Sequence, residues 1–312
     1  VSLALSLAVA TSACAVAWAT IPVFRWVAVE RGWLDVAGAD PLKIHAAPTP
    51  FVGGLGIVLG CTVALGVFTA VTRAPDVPFV LATACGVAAL GFRDDVAATP
   101  PVARLAVELI AGLCLAAGGL AVGLFQAAGS HVGAALGIVV LGAFYVVGGV
   151  NAVNMQDGID GLAGGIVLIS CAGYAWLGIV TGRDAVLAVA LALGGALVGF
   201  LVHNLPPASV FMGDNGSYFL GFLTATLALI LTVEGGTLRH ALGGALMVGV
   251  PVFDAALAVG RRLSRGVSPV RGDRSHFYDY LAMRGLPIPV VTAIGWVVQL
   301  ISVGAGLTLL VD

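Results

Sequence analysis

Asn151-Ala-Val-Asn154-Met-Gln-Asp157-Gly-Ile-Asp160-Gly161 sets four amide or carboxylate side chains three residues apart between two apolar stretches. Such groups are expensive at membrane depth. A carboxylate at the centre of a membrane helix costs about 2.5 to 3.5 kcal/mol on insertion scales, so a cluster of them marks a site by default. In a regular α-helix each three-residue step turns the side chain by ~300°, which puts Asn151 and Asp160 on opposite sides, out of reach of one ligand. Gly158 and Gly161 therefore predict a broken backbone, tolerated at this depth only where it lines a cavity or is buried in protein. Neighbouring pairs would then serve adjoining subsites. The alternative is a helix-capping and interhelical hydrogen-bond cluster, against which stands the excess of carboxylates over what capping requires.

Working outward, the flanks of this run read as membrane spans. Of 312 residues 60% are hydrophobic and 10% charged, with a mean hydropathy of +1.08, a composition foreign to ordinary soluble domains. Crossing the hydrocarbon core takes about 20 apolar residues. Ten segments qualify, at 3–24, 51–72, 77–92, 102–124, 132–150, 161–181, 185–202, 217–233, 240–260 and 288–311, the third and seventh being short. The chain is thus expected to be all-α, a polytopic integral membrane protein of about ten transmembrane helices forming a single membrane-embedded domain over 1–312.

Lys and Arg are retained in short loops on the cytoplasmic side. Eleven of the fourteen basic residues fall in or beside the odd-numbered loops, against Arg73, Arg183 and Arg239 in the even ones. The odd loops are therefore expected to be cytoplasmic and both termini to face outward. The first span lacks the short apolar core and small-residue cleavage site of a secretory signal and reads as a retained helix. The five cysteines sit inside apolar segments without paired spacing, so packing accounts for them.

The odd loops also carry the polar islands. The first runs from Asp40 through Lys43, the only lysine, and His45 to Gly53-Gly54. Its prolines and paired glycines shape a loop. Lys43 is either a compact charge for a phosphate or carboxylate or an interfacial lysine that snorkels. The second is Gly91-Phe-Arg93-Asp94-Asp95. Adjacent carboxylates at a helix end call for a cation, a proton or free hydration. Arg104 and Glu108, four apart, read as a mutual structural pair on one helix face. The fourth island, His203-Asn204 to Gly213-Asp214-Asn215-Gly216-Ser217, either presents Asp214 inward beside a helix N-terminus, a natural anion site, or uses it only as a cap. The fifth contains Asp254, Arg261, Arg262, Arg265, Arg271, Asp273, Arg274 and His276. Asp254 and Arg261, seven apart, share a helical face. The arginines are either ligand donors or enforcers of topology.

Asp94, Asp95, Asp157, Asp160 and Asp214 come from three loops, and their convergence would repel itself without a hard divalent cation. Oxygen ligands without Cys or clustered His suit Mg²⁺ or Mn²⁺ rather than zinc. Magnesium keeps substrate phosphates in its shell, and arginines offer donors for them. Phosphoryl transfer, mostly alignment and charge neutralisation, is the reaction class expected.

Five motifs in order, Lys43-Ile-His45 to Gly53-Gly54, Asp94-Asp95, Asn151 to Gly161, Phe211-Met-Gly-Asp214-Asn-Gly-Ser217 and Asp273-Arg-Ser-His276, resemble the polyprenyl-phosphate N-acetylhexosamine-1-phosphate transferases, glycosyltransferase family 4. The resemblance implies transfer of a sugar 1-phosphate from a UDP-sugar to a polyprenyl (undecaprenyl) phosphate, with release of UMP, at a cytoplasmic-face active site in the cell's inner (plasma) membrane. It implies Mg²⁺ on Asp214 with help from Asn154, and Asp94 and Asp95 beside the lipid phosphate. Asp157, Asp160 and Lys43 would contribute to the nucleotide pocket and His276, with Arg261 and Arg274, to the diphosphate. His45, Asn151 and Asn204 complete the implied substrate-binding set; Asp94, Asp95, Asp214 and His276 form the implied catalytic set. Lipid phosphate would attack the β-phosphorus while Mg²⁺ bridges the diphosphate.

The implied partners are the UDP-sugar, the lipid and the membrane, with no nucleic acid; a homodimer stays open. Three positions depart from the family pattern: Leu42-Lys43 replaces a basic pair, Arg104 replaces a lysine, and His276 stands where a histidine cluster is common. The Asp-Arg-x-His arrangement is similar to the branch using UDP-N-acetylglucosamine, with the phospho-N-acetylmuramoyl-pentapeptide transferases as the alternative. The rival from another class is a cation- or proton-coupled transporter, whose binding groups belong near the bilayer midplane, often in repeated halves.

Overall fold

Ser2 opens the first helix by accepting a hydrogen bond from the Leu5 N–H (3.3 Å), and Gly32 closes it at φ +71°, its N–H turned back onto the Ala28 and Val29 carbonyls. Helix α1 (Leu3–Arg31) is followed by a two-residue antiparallel ladder of β1 (Leu34–Asp35) and β2 (Thr49–Pro50), with Leu34 opposite Pro50 and Asp35 opposite Thr49. Everything else in this computed structural model, which describes residues 1–36, 47–117, 132–268 and 275–311, is helix or connection. The helices are α2 (Gly53–Thr72), α3 (Asp76–Val96), α4 (Pro101–Ala117), α5 (Val132–Gln156), α6 (Leu162–Val180), α7 (Asp184–Asn204), α8 (Gly213–Gly235), α9 (Leu238–Met247), α10 (Gly249–Ser264), α11 (Phe277–Met283) and α12 (Ile288–Leu310).

Among the described residues eight helices are long and apolar enough to cross a membrane, or nine if α9 and α10 count as one span. The remaining expected span is the fourth: α4 is 17 residues long as described, and the rest of that segment lies outside the described residues. The third and seventh spans are longer than apolar windows suggest, 21 residues each, because their helices continue into Arg93-Asp94-Asp95 and His203-Asn204. Helix α8 is central: 89% of its apolar window is buried, against 22% for α1. It packs against α3 and α5, while α1 packs on α2 and α7.

The ninth span differs from the continuous helix expected over 240–260. It turns by 95° between α9 and α10. The backbone groups this releases must find partners, since no water is at hand in the apolar layer. Gln299 of α12 provides them, accepting from the Val250 N–H (3.0 Å) and donating to the Met247 carbonyl (2.9 Å) and Ser170 Oγ (3.0 Å), while Ser302 donates to the Leu246 carbonyl (2.8 Å). Pro251 falls in the first turn of α10, where its missing N–H forfeits nothing.

The connections carrying the polar islands meet at one end of the bundle. There the start of α2 is stitched to the start of α8 by Gly53 N–H to Phe211 O and Gly54 N–H to Met212 O (both 2.9 Å), with Phe211 N–H on Pro50 O at 2.8 Å.

Candidate active site

The first turn of α8 organises this end. A helix start exposes unpaired N–H groups and a partial positive charge, and Met212 at the N-cap position supplies no side-chain partner. Asp95 of α3 takes that role from outside the helix. Its carboxylate accepts from the Asp214 N–H (2.8 Å), the Asn215 N–H (3.1 Å) and Asn215 Nδ2 (2.9 Å). This approach requires Gly91, one turn earlier in α3, because a Cβ there would lie 2.3 Å from the Asp214 carbonyl oxygen.

Asp94 faces the other way. It accepts from the Thr99 N–H (2.6 Å), from Arg104 Nη1 (2.8 Å) and from the Tyr218 hydroxyl (3.4 Å). Its carboxylate also lies within hydrogen-bonding reach of Asp214. Asn154 donates to Asp214 Oδ1 (2.7 Å) and to Ser217 Oγ (3.0 Å), tying the end of α5 to the same turn. Asp157, just past the end of α5, sits among Asp214, Asp95 and Asp160 and faces the Gly213 N–H. Loss of hydration, then those neighbouring charges, hold the Asp157 carboxyl well above the usual carboxylate range.

The predicted backbone break is present: α5 ends at Gln156, α6 begins at Leu162, and Gly161 has φ +74°. A cavity of about 840 Å³ opens beside it. Asn151, Asn154, Asp157, Arg104, Arg262, His276, Tyr278 and Asp279 contribute its polar lining, and Ala225, Ala228, Val248, Val252 and Phe144 belong to an apolar wall. Phe144 is 74% exposed on the rim. His276 enters at the head of α11, its Nδ1 2.6 Å from Asp254 Oδ2 and its ring stacked on Tyr278.

Asp94, Asp95, Asn154, Asp157 and Asp214 are thus brought together; of these Asn154 and Asp157 line the cavity, as do Asn151 and His276, while Asp94, Asp95 and Asp214 stand behind that lining. Asn151 nevertheless bonds Glu108 (2.5 Å) and the Val147 carbonyl (2.8 Å). The expected Arg104–Glu108 pair is replaced by Arg104–Asp94 and Asn151–Glu108, because both partners point off α4 toward neighbouring helices. Three other predicted residues lie away from the cavity lining. Asp160 accepts from the Ala208 N–H (2.9 Å). Asn204 accepts from the Gly161 N–H (3.0 Å) and donates to the Val210 carbonyl (3.0 Å). Arg261 donates to the Ser275 carbonyl. All three satisfy backbone groups in the connections between helices. Lys43, His45 and Arg274 lie outside the described residues.

Sequence reasoning did not assign Tyr218, Arg262, Tyr278 or Gln156 to the site. Tyr218 was readable as the residue four beyond Asp214, on its face of α8. Arg262 and Tyr278 carried no signal separating them from their neighbours.

Four clustered carboxylates against one arginine on Asp94 are a donor set that suits a hard cation. Among the described residues no three His, Cys, Asp or Glu side chains form a ready ligand cage. Magnesium does not need one, since it is bound by one or two carboxylates plus substrate phosphates and water. Asp214, with Asn154 and Asp94 beside it, fits that requirement.

Apolar helices around a buried α8, with a polar-lined cavity and a carboxylate cluster at one end, define a multi-pass membrane protein. Residues 77–232 match the family model described as Glycosyl transferase family 4. The chain is 34% identical over 296 residues to a phospho-N-acetylmuramoyl-pentapeptide-transferase of Moorella thermoacetica, covering 87% of this chain and 88% of the relative. It is 30% identical over 309 residues to a decaprenyl-phosphate N-acetylglucosaminephosphotransferase of Mycobacterium tuberculosis (88% and 75%). It is 28% identical over 291 residues to a probable undecaprenyl-phosphate N-acetylglucosaminyl 1-phosphate transferase of Bacillus subtilis (90% and 80%). The chain belongs to glycosyl transferase family 4.

Proposed function

We propose that this protein transfers a sugar 1-phosphate, first of all N-acetylglucosamine 1-phosphate, from a UDP-sugar to a polyprenyl phosphate. UMP is released, in the first membrane step of cell-envelope polysaccharide synthesis. The observation that carries the reading is one cavity in which Asn154 and Asp157, the edge of the carboxylate cluster around Asp214, lie beside an apolar wall with an exposed rim. A phosphate on an isoprenoid chain and a nucleotide diphosphate need those two surfaces side by side. The names borne by the Bacillus and Mycobacterium relatives support the sugar and the lipid class.

In this reading a lipid phosphate oxygen attacks the β-phosphorus, the bond to the bridging oxygen breaks, and its electron pair leaves with UMP. Asp214, with Asn154 beside it, would hold Mg²⁺, which would neutralise the diphosphate charge. Arg104, which lines the cavity and is held by Asp94, offers the lipid phosphate a cationic donor, with Asp94 fixing its position. Asp157 and Asn151 border the nucleotide, and His276 and Arg262 meet phosphate oxygens. Catalysis then rests on alignment within the cavity more than on proton transfer. The distribution of basic residues supports a cytoplasmic orientation for this end of the bundle.

The Moorella relative favours a second donor, a UDP-muramoyl-pentapeptide, for the same chemistry. The purified protein with Mg²⁺, undecaprenyl phosphate and a panel of UDP-sugars including that donor, scored by UMP release, tests both. Lipid-dependent UMP from UDP-N-acetylglucosamine is the result expected. No lipid-dependent UMP from any donor would overturn the reading.

A further inference from the structure

Asp254 is buried in α10, and its carboxylate accepts three hydrogen bonds: His276 Nδ1 (2.6 Å) and Gln156 Nε2 (2.8 Å) on Oδ2, and the Phe277 N–H (3.0 Å) on Oδ1. Both oxygens face donors, so an acceptor-only group fits here and an amide does not. An Asn would turn its NH₂ either onto the Phe277 N–H or onto the Gln156 and His276 donors. Because Asp254 can only accept, the ring hydrogen of His276 resides on Nδ1, and Nε2 is the nitrogen left for a ligand. The ring borders the cavity and is parallel to Tyr278, with centroids 5.5 Å apart and 8° between planes. Tyr278 is itself fixed by its hydroxyl on the Met155 carbonyl (2.9 Å). Neither the tautomer nor the tilt of His276 is free.

We propose that Asp254 is the positioning residue for His276. It keeps a hydrogen on Nδ1 and turns Nε2 toward the cavity, where the doubly protonated ring donates from Nε2 to a phosphate oxygen of the nucleotide donor. When Nε2 also carries a proton toward that oxygen, the charge of the ring is already paired at 2.6 Å rather than buried alone. Gln156, the last residue of α5, holds the same carboxylate oxygen. The orientation of the histidine is thereby tied to the Asn151–Asp157 run. This inference rests on the transferase reading above.

The test uses the full chain with the UDP-sugar it accepts and polyprenyl phosphate. Asp254→Asn is expected to lower kcat by roughly 10²-fold, the scale for losing an orienting partner. His276→Gln should lose a similar amount, and the double variant should be no slower than His276→Gln alone, because the two residues act as a unit. Losses that multiply in the double variant, or Asp254→Asn at the wild-type rate, would overturn the proposal. Should Asp254→Asn fail to fold, ¹⁵N-histidine NMR of the wild-type protein decides, with the His276 signals assigned by their disappearance in His276→Gln. Hydrogen on Nδ1 supports the proposal, and hydrogen on Nε2 alone refutes it. If no UDP-sugar gives lipid-dependent UMP with the wild-type protein, the transferase reading fails, while the tautomer is still measured.

Discussion

Gly91→Ala adds one methyl group at the closest approach of α3 to α8. The new carbon would lie 2.3 Å from the Asp214 carbonyl oxygen, 2.5 Å from its carbonyl carbon and 2.7 Å from the Asn215 nitrogen. These are backbone atoms in the first turn of the most enclosed helix, so no side chain can swing aside. Carbon contacts settle near 3.5 Å, which requires the two helices to part by about 1 Å. Overpacking of this kind costs about 1–3 kcal/mol. The larger effect falls on the chemistry, since the parting carries Asp94 and Asp95 away from Asp214, and a displacement of ~1 Å in reacting groups costs on the order of 10²-fold in rate. Gly86→Ala is the control: it sits in the same helix with nothing within 4 Å of the added carbon. Turnover by UMP release and monodispersity by size-exclusion chromatography are to be measured for both. Gly91→Ala turning over like the wild type, or Gly86→Ala losing as much, would refute the reasoning.

Asp214→Asn should abolish turnover. It should also remove the rise in melting temperature that Mg²⁺ gives the wild-type protein by binding only the folded state; retained Mg²⁺-dependent activity would count against Asp214 as a ligand. Gln299→Leu leaves the Val250 N–H and the Met247 carbonyl without their partners at the helix turn, at about 1–3 kcal/mol for each unsatisfied group. Thermal unfolding in detergent should drop by several degrees, and an unchanged midpoint would mean that the bend holds itself.

Much of the helical plan was legible because a membrane span advertises itself by length and apolarity alone. The bend at Val248 was not, since a hydropathy window averages across it and the stabilising partner, Gln299, lies three helices away in chain order. Gly249 and Pro251 were the available signals. The convergence on Asp214 was readable from carboxylates in separate loops. The split between ligand-facing and backbone-facing polar groups was not: Asn204 and Asp160 are the same residue types as Asn154 and Asp157, and only the turn they brace distinguishes them. Arg261 and Arg262 are neighbours separated by ~100° on a helix, so choosing the one at the cavity required knowing the face of α10. The shared face of Asp254 and Arg261 did hold, for both grip the segment 275–277.

The exposed rim at Phe144 bears on traffic. For the transfer proposed above, a chamber with a polar floor and a greasy side door would let two reactants that never share a phase approach from different directions, the nucleotide from water and the long-chain lipid by sliding sideways. Neither has to cross the other's solvent, and the finished lipid product can depart without leaving the bilayer.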